Sequence, residues 1–183
     1  MASNGVPWRV RPITRKAMLG VHIVTAGAWI GIDVILGVLV FTALWTADAG
    51  TVAAAYQVLP MLFWPVLVMA LGCLISGVAL GLSSRWGLLR YRWVITKLAL
   101  ALTLTVLVVL LLGPSLDEAA AAGQRLAETG ALGAELSGLI YPPIVSTTAL
   151  LLATALAVAK PWGLRRRASV PAPAAGRPSE RVR

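Results

Sequence analysis

Four long apolar runs, separated by short polar segments, dominate this sequence. They cover about residues 17–45, 56–82, 93–112 and 141–159. A helix needs about 20 apolar residues to cross a bilayer, and each run has about that length or more. Of the 183 residues, 58% are hydrophobic and 13% are charged, whereas a soluble domain carries about 25% charged residues. The pattern therefore predicts an all-α, transmembrane, four-helix antiparallel bundle.

The boundaries of the runs divide the chain into a membrane domain and basic ends. Gly113 and Pro114 predict the end of the third helix, because this pair commonly stops helices. Pro60 and Pro65 predict the start of the second helix at one and a kink at the other, after a linker with Asp48 and Gly50. The predicted parts are a basic segment 1–16, a transmembrane domain 17–160 with an external loop and helix 115–138, and a disordered tail 161–183. Ser115 and Glu118 predict a capping box for the external helix.

The basic residues lie almost entirely on one predicted side of the membrane. Fourteen of the sixteen Lys and Arg fall in the N-terminal segment, the 83–92 loop and the residues from Lys160 onward. The other side carries Arg125, and Lys97 lies inside the third run. The positive-inside rule then places both termini in the cytoplasm of a bacterial plasma membrane. This rule accounts for the net charge of +9, so we expect a lipid partner and no nucleic acid.

The first helix presents two faces that lipid alone does not explain. At 100° per residue, His22, Trp29 and Asp33 share one stripe, and Gly27 and Gly31 lie on the opposite face. Small residues spaced by four allow helices to approach closely in membranes. Gly27 and Gly31 have this spacing, and so do Gly77 and Gly81 in the second helix. The glycine face indicates packing within the bundle, or with a second copy or another membrane protein.

Asp33 is the first candidate for a functional polar group inside the membrane. A charged side chain there costs about 2.5–3.5 kcal/mol, and its short stem does not reach the headgroups. Its expected neighbours are Trp29 on the same stripe and a hydroxyl cluster on the fourth helix, formed by Ser146, Thr147 and Thr148. This set suits either a structural hydrogen bond or a small Asp33-dependent transporter.

His22 is the candidate ligand for a cofactor. Met18 lies one turn before it on the same face, and Lys97 is expected at a similar depth. Nitrogen and thioether ligands suit haem iron or copper, so a haem b- or copper-binding redox protein is one alternative. The other is a neutral histidine that bonds within the bundle, with Lys97 anchored at the interface.

Enzyme signatures are missing from the sequence. It contains no Walker loop, no nucleophile elbow and no HExxH motif. One histidine and one cysteine, Cys73, exclude an internal disulfide and a zinc or iron–sulfur site held by four such ligands. No catalytic residue is predicted, and a non-enzymatic assembly or interaction component is favoured over the redox protein and the transporter.

Three segments also carry a family resemblance. The segments 84–98 and 158–163, together with His22 and Trp29, resemble small actinobacterial four-helix integral membrane proteins of unknown function, over about residues 15–165. His22, Trp29 and Lys97 are more loosely similar to copper-resistance D-type proteins and membrane protoporphyrinogen oxidases. That second resemblance implies copper handling or haem b binding.

Overall fold

The computed structural model describes residues 11–83, 92–130 and 137–159, and these residues are almost entirely helical. The α-helices are α1 (Pro12–Trp45), α2 (Ala49–Val58), α3 (Phe63–Leu82), α4 (Arg92–Leu107), α5 (Gly113–Thr129) and α6 (Tyr141–Ala159). Short helical turns complete them: a 3₁₀ turn, Leu59–Leu62, joins α2 to α3, a π turn, Val108–Leu112, joins α4 to α5, and a second 3₁₀ turn, Ser137–Ile140, precedes α6.

Four helical stretches in the described part of the chain are long and apolar enough to cross a membrane. They are Pro12–Trp45, Ala49–Leu82, Trp93–Thr129 and Gly138–Ala159. Helix α1 packs against α3 and α6, and α4 packs against the same two helices, which closes a bundle in the order α1, α3, α4, α6. The predicted all-α, four-helix membrane fold is therefore confirmed.

Contacts between helices fix the antiparallel register. Thr25 of α1 meets Gly72 of α3, and three residues earlier His22 meets Ser76. On the other side, Asp33 meets Ser146 of α6 and Gly37 meets Pro143. Residue numbers thus rise along α1 as they fall along its two neighbours.

Helices α2 and α5 form a smaller layer that continues the bundle beyond the N-terminal end of α3. Helix α2 packs on α5 and on α1, and its buried residues include Val52, Ala53, Ala55 and Tyr56. Helix α5 offers a matching apolar side formed by Leu116, Ala119, Gly123 and Leu126. An ideal Cβ at Gly123 would lie 3.0 Å from the Ala53 carbonyl oxygen, so the two backbones approach closely there.

The predicted end of the third helix at Gly113–Pro114 is wrong. The helix passes through the π turn and continues as α5 to Thr129, where Gly130 at φ +67° ends it. The π turn widens the backbone just before Pro114, which lacks an N–H. Burial of the apolar side of α5 against α2 then favours continuing the helix over leaving a loop.

Two related local predictions are also corrected. Ser115 does not cap a helix: its hydroxyl donates to the Leu111 carbonyl at 2.8 Å, inside the continuous helix. The second span begins at Ala49, not at a proline, because Asp48 caps it by accepting the Thr51 N–H at 2.8 Å. Pro60 lies in the 3₁₀ turn and Pro65 in the first turn of α3. Most of the basic segment 1–16 and all of the tail 161–183 lie outside the described residues.

Candidate functional site

Two polar clusters lie between the spanning helices. We call them the Asp33 cluster (Trp29, Asp33 and Ser146) and the His22 cluster (His22, Cys73, Ser76 and Lys97). Both are centred on residues of the stripe predicted for α1.

The Asp33 cluster joins α1 to α6. The Asp33 side chain is 3% exposed, and the Ser146 hydroxyl donates to its Oδ2 at 2.6 Å. Trp29 lies one turn before Asp33 and is fully buried. Its Nε1–H has no hydrogen-bond partner among the described residues. The cluster thus combines a bonded carboxyl group with an unused buried donor.

Ser146 is the member of the predicted hydroxyl cluster that reaches Asp33. Thr147 is half-buried and Thr148 is exposed, and neither donates to the carboxyl group. Successive helical residues point 100° apart, so at most one of the three faces the centre of the α1–α6 contact.

The His22 cluster joins α1 to α3. The His22 Nδ1 lies 3.0 Å from the Cys73 carbonyl oxygen and 3.0 Å from Ser76 Oγ. A carbonyl only accepts, so Nδ1 carries the hydrogen and, in the neutral ring, Nε2 carries the lone pair. The Cys73 thiol is free and buried, with Sγ 3.8 Å from Nδ1.

Glycine makes room for the imidazole. An ideal Cβ at Gly77 would lie only 3.1 Å from His22 Cε1, so a larger residue there would press on the ring. Gly81 follows one turn later on the half-buried side of α3. At Gly77, α3 therefore lies close to the imidazole of α1.

Lys97 and Met18 complete the predicted cofactor set. Lys97 is half-buried on α4, close enough to His22 and Cys73 for electrostatic interaction with both, and its Nζ lies 5.9 Å from the Trp93 ring centroid. Met18 is half-buried one turn before His22. Within residues 11–83, 92–130 and 137–159, no group of three or more His, Cys, Asp or Glu side chains is placed to hold a metal ion.

The glycines on the opposite face of α1 are open. Ideal Cβ atoms at Gly20, Gly27 and Gly31 would meet nothing within 4 Å in the described structure. In contrast, Gly37, Gly72 and Gly77 all contact another helix. The first helix therefore has one packed stripe and one unoccupied glycine face.

Ser76 was not among the predicted site residues, although it bonds to His22. Its sequence signal was its place in the small-residue seam of the second apolar run, but that pattern does not reveal which residue of α1 it faces. Comparison with protein-family models, curated proteins and solved structures finds no match to this chain.

Proposed function

We propose that this is a non-enzymatic protein of the bacterial plasma membrane that acts by assembly, pairing with a second copy of itself through the glycine face of α1. The observation that carries the proposal is the open space around Gly20, Gly27 and Gly31, in contrast to the contacts with neighbouring helices at Gly37, Gly72 and Gly77.

The low helix propensity of these three glycines supports a partner helix on this face. Glycine inside a helix is about 1 kcal/mol less favourable than alanine, so three cost roughly 3 kcal/mol. A purely lipid-facing surface gains nothing in return. A second helix gains close van der Waals packing from small residues spaced as Gly27 and Gly31 are.

Helix α1 extends beyond the level at which exposed aromatic side chains lie on α3 and α6. The helix register places Trp64 at about the level of Asp33 and Tyr141 at about the level of Leu39. Both side chains are 67% exposed, and Trp and Tyr are the residue types enriched at membrane interfaces. Trp45 is 77% exposed and lies about 9–18 Å farther along the axis of α1.

The distribution of side-chain size suits a pair of identical crossing helices. Small residues occupy the centre of the face, while Phe41 and Trp45, stacked with ring centroids 4.9 Å apart, lie at one end. Two helices that cross at about 40° near Gly27 and Gly31 separate by roughly 16 Å at the level of Trp45. That gap accommodates the aromatic stacks of both copies.

Disulfide trapping tests the pairing. In a Cys73→Ala background, Gly27→Cys should give a covalent dimer in membranes, whereas Ile75→Cys, on an exposed face of α3, should not. Gly27→Leu with Gly31→Leu should abolish the dimer while the helical spectrum is retained. A monomer in the wild type, or an unchanged dimer in the leucine variant, would contradict the proposal.

We propose that both termini lie in the cytoplasm. Four spans place the two ends and the 83–92 loop on one side of the membrane, and these segments carry fourteen of the sixteen Lys and Arg. In the same Cys73→Ala background, a membrane-impermeant maleimide should label Asp48→Cys in intact cells and Ser3→Cys only after lysis. The reverse labelling pattern would overturn the orientation.

A second candidate function is the binding of haem b at His22. It is favoured by the contact of Nδ1 with the Cys73 carbonyl, since metal-ligating histidines usually donate their other N–H in this way. His22 would supply one imidazole ligand to the haem iron, and Met18 and Lys97 are the other candidate ligands near it. The described residues do not fit a copper centre built from several histidines or carboxylates. The looser resemblance to haem- and copper-handling proteins supports the same site.

The absorption spectrum tests this candidate. Protein from cells supplied with haem should show a Soret band that His22→Ala removes, while His22→Ala retains the helical spectrum. Colourless protein under these conditions would exclude the haem function.

A further inference from the structure

We infer that the Asp33 cluster is a binding site for one water molecule, which bridges Trp29 to Asp33 inside the bundle. The first observation is the Trp29 indole, which is 0% exposed and whose Nε1–H finds no acceptor in the described chain. Buried donors of this kind are ordinarily satisfied, by protein or by an ordered water.

The position of Asp33 supplies the other half of the site. Residues four apart on a helix are neighbours on one face, so the Trp29 and Asp33 side chains lie side by side. Ser146 donates to Oδ2, and no side chain or backbone group of the described residues donates to Oδ1. Oδ1 is therefore an acceptor available on the side of the carboxyl group that Ser146 does not use.

The chemistry of the three groups matches a hydroxylic oxygen. A water accepts the Trp29 N–H, donates to Asp33 Oδ1 and has a second hydrogen for the Ser146 oxygen. Buried waters typically make about three hydrogen bonds, and three polar groups are present here. A metal cation does not fit, because the indole N–H presents a positive dipole to the site.

The consequence concerns Asp33 itself. A bound water gives its carboxyl group a partner with exchangeable hydrogens, within a span whose neighbouring side chains are mostly apolar. The site then holds a hydrated carboxyl group at about the level of Trp64, independently of whether α1 forms a dimer.

Infrared difference spectroscopy of the protein in lipid vesicles tests the inference. The carboxyl stretching bands of Asp33 are assigned by their loss in Asp33→Asn, and the bound water by its O–H band shift in H₂¹⁸O. Trp29→Phe, which retains an aromatic ring but removes the N–H, should remove the water band and shift the Asp33 band. The matched control Trp64→Phe, on an exposed tryptophan, should change neither.

Two results would overturn the site: no ¹⁸O-sensitive band in the wild type, or one that persists unchanged in Trp29→Phe. If Trp29→Phe does not fold, the wild type and Asp33→Leu, which removes the acceptor, decide the question. A water band present in the first and lost in the second supports the site, and a band unaffected by Asp33→Leu refutes it.

Discussion

The Ser146 hydroxyl of α6 donates a 2.6 Å hydrogen bond to the Asp33 carboxyl group of α1, across 113 residues of sequence. Both side chains are buried, so this bond links the first and last spans of the bundle at a place that bulk water does not reach. The bond gives the buried Asp33 side chain a role in specifying that α1 faces α6.

Removal of this bond should destabilise the bundle. Ser146→Ala removes the donor to Asp33 Oδ2, and hydrogen bonds between membrane helices contribute about 0.6 kcal/mol on average and up to about 1.7 kcal/mol. We expect a loss in that range in equilibrium unfolding in mixed micelles. Thr148→Ala, an exposed change on the same helix, should stay within about 0.5 kcal/mol. Equal losses in the two variants would contradict the role of the bond.

The close contact of α1 with α3 should not tolerate a methyl group at Gly72. An ideal Cβ there would lie 2.9 Å from Thr25 Cγ2, and the β-branched threonine has little freedom to move away. Gly72→Ala should therefore lower the free energy of unfolding by about 1–3 kcal/mol, as overpacked cores do. The same substitution at the open Gly20 should not destabilise, and a similar loss at both positions would show that packing is not the cause.

The α2–α5 layer should depend on Gly123. Its ideal Cβ would meet the Ala53 carbonyl oxygen and Tyr56 Cβ at 3.0 Å each, and these atoms do not move without shifting α2. Gly123→Ala should accelerate amide hydrogen exchange in Val52–Tyr56 at least several-fold, while α3 is unaffected. Ala127→Val adds more volume on the exposed side of α5 and should leave exchange unchanged. Unchanged protection of α2 in Gly123→Ala would disprove this packing.

The start of α2 should be sensitive to acid. The Thr51 hydroxyl and backbone N–H both donate to the Asp48 carboxylate, which holds the pKa of Asp48 below its ordinary value of 3.8. A lowered pKa stabilises the folded form above 3.8, and this contribution is lost as the pH falls through the lower folded value. Exchange of the Thr51 amide should therefore accelerate at low pH relative to the intrinsic rate. Asp48→Asn should remove the pH dependence, and an identical profile in this variant would exclude the cap.

Assembly, haem binding, transport through Asp33 and the family resemblance stay predictions, each open to the experiments given above or to a flux assay with Asp33→Asn. The transport prediction gains a definite geometry, because Asp33 and Ser146 are in contact. Thr147 and Thr148 make no such contact with Asp33.

The sequence by itself determined the four spans and the placement of His22, Trp29 and Asp33 on one side of α1. Apolar run length and the 100° step of a helix are local properties, and they need no knowledge of the partner helix. Only the tertiary structure decided that Ser146 pairs with Asp33, that Ser76 pairs with His22 and that the third span continues past Pro114. These outcomes depend on register and packing between segments far apart in the chain, where the burial of α5 against α2 outweighs the local stop at Gly113–Pro114.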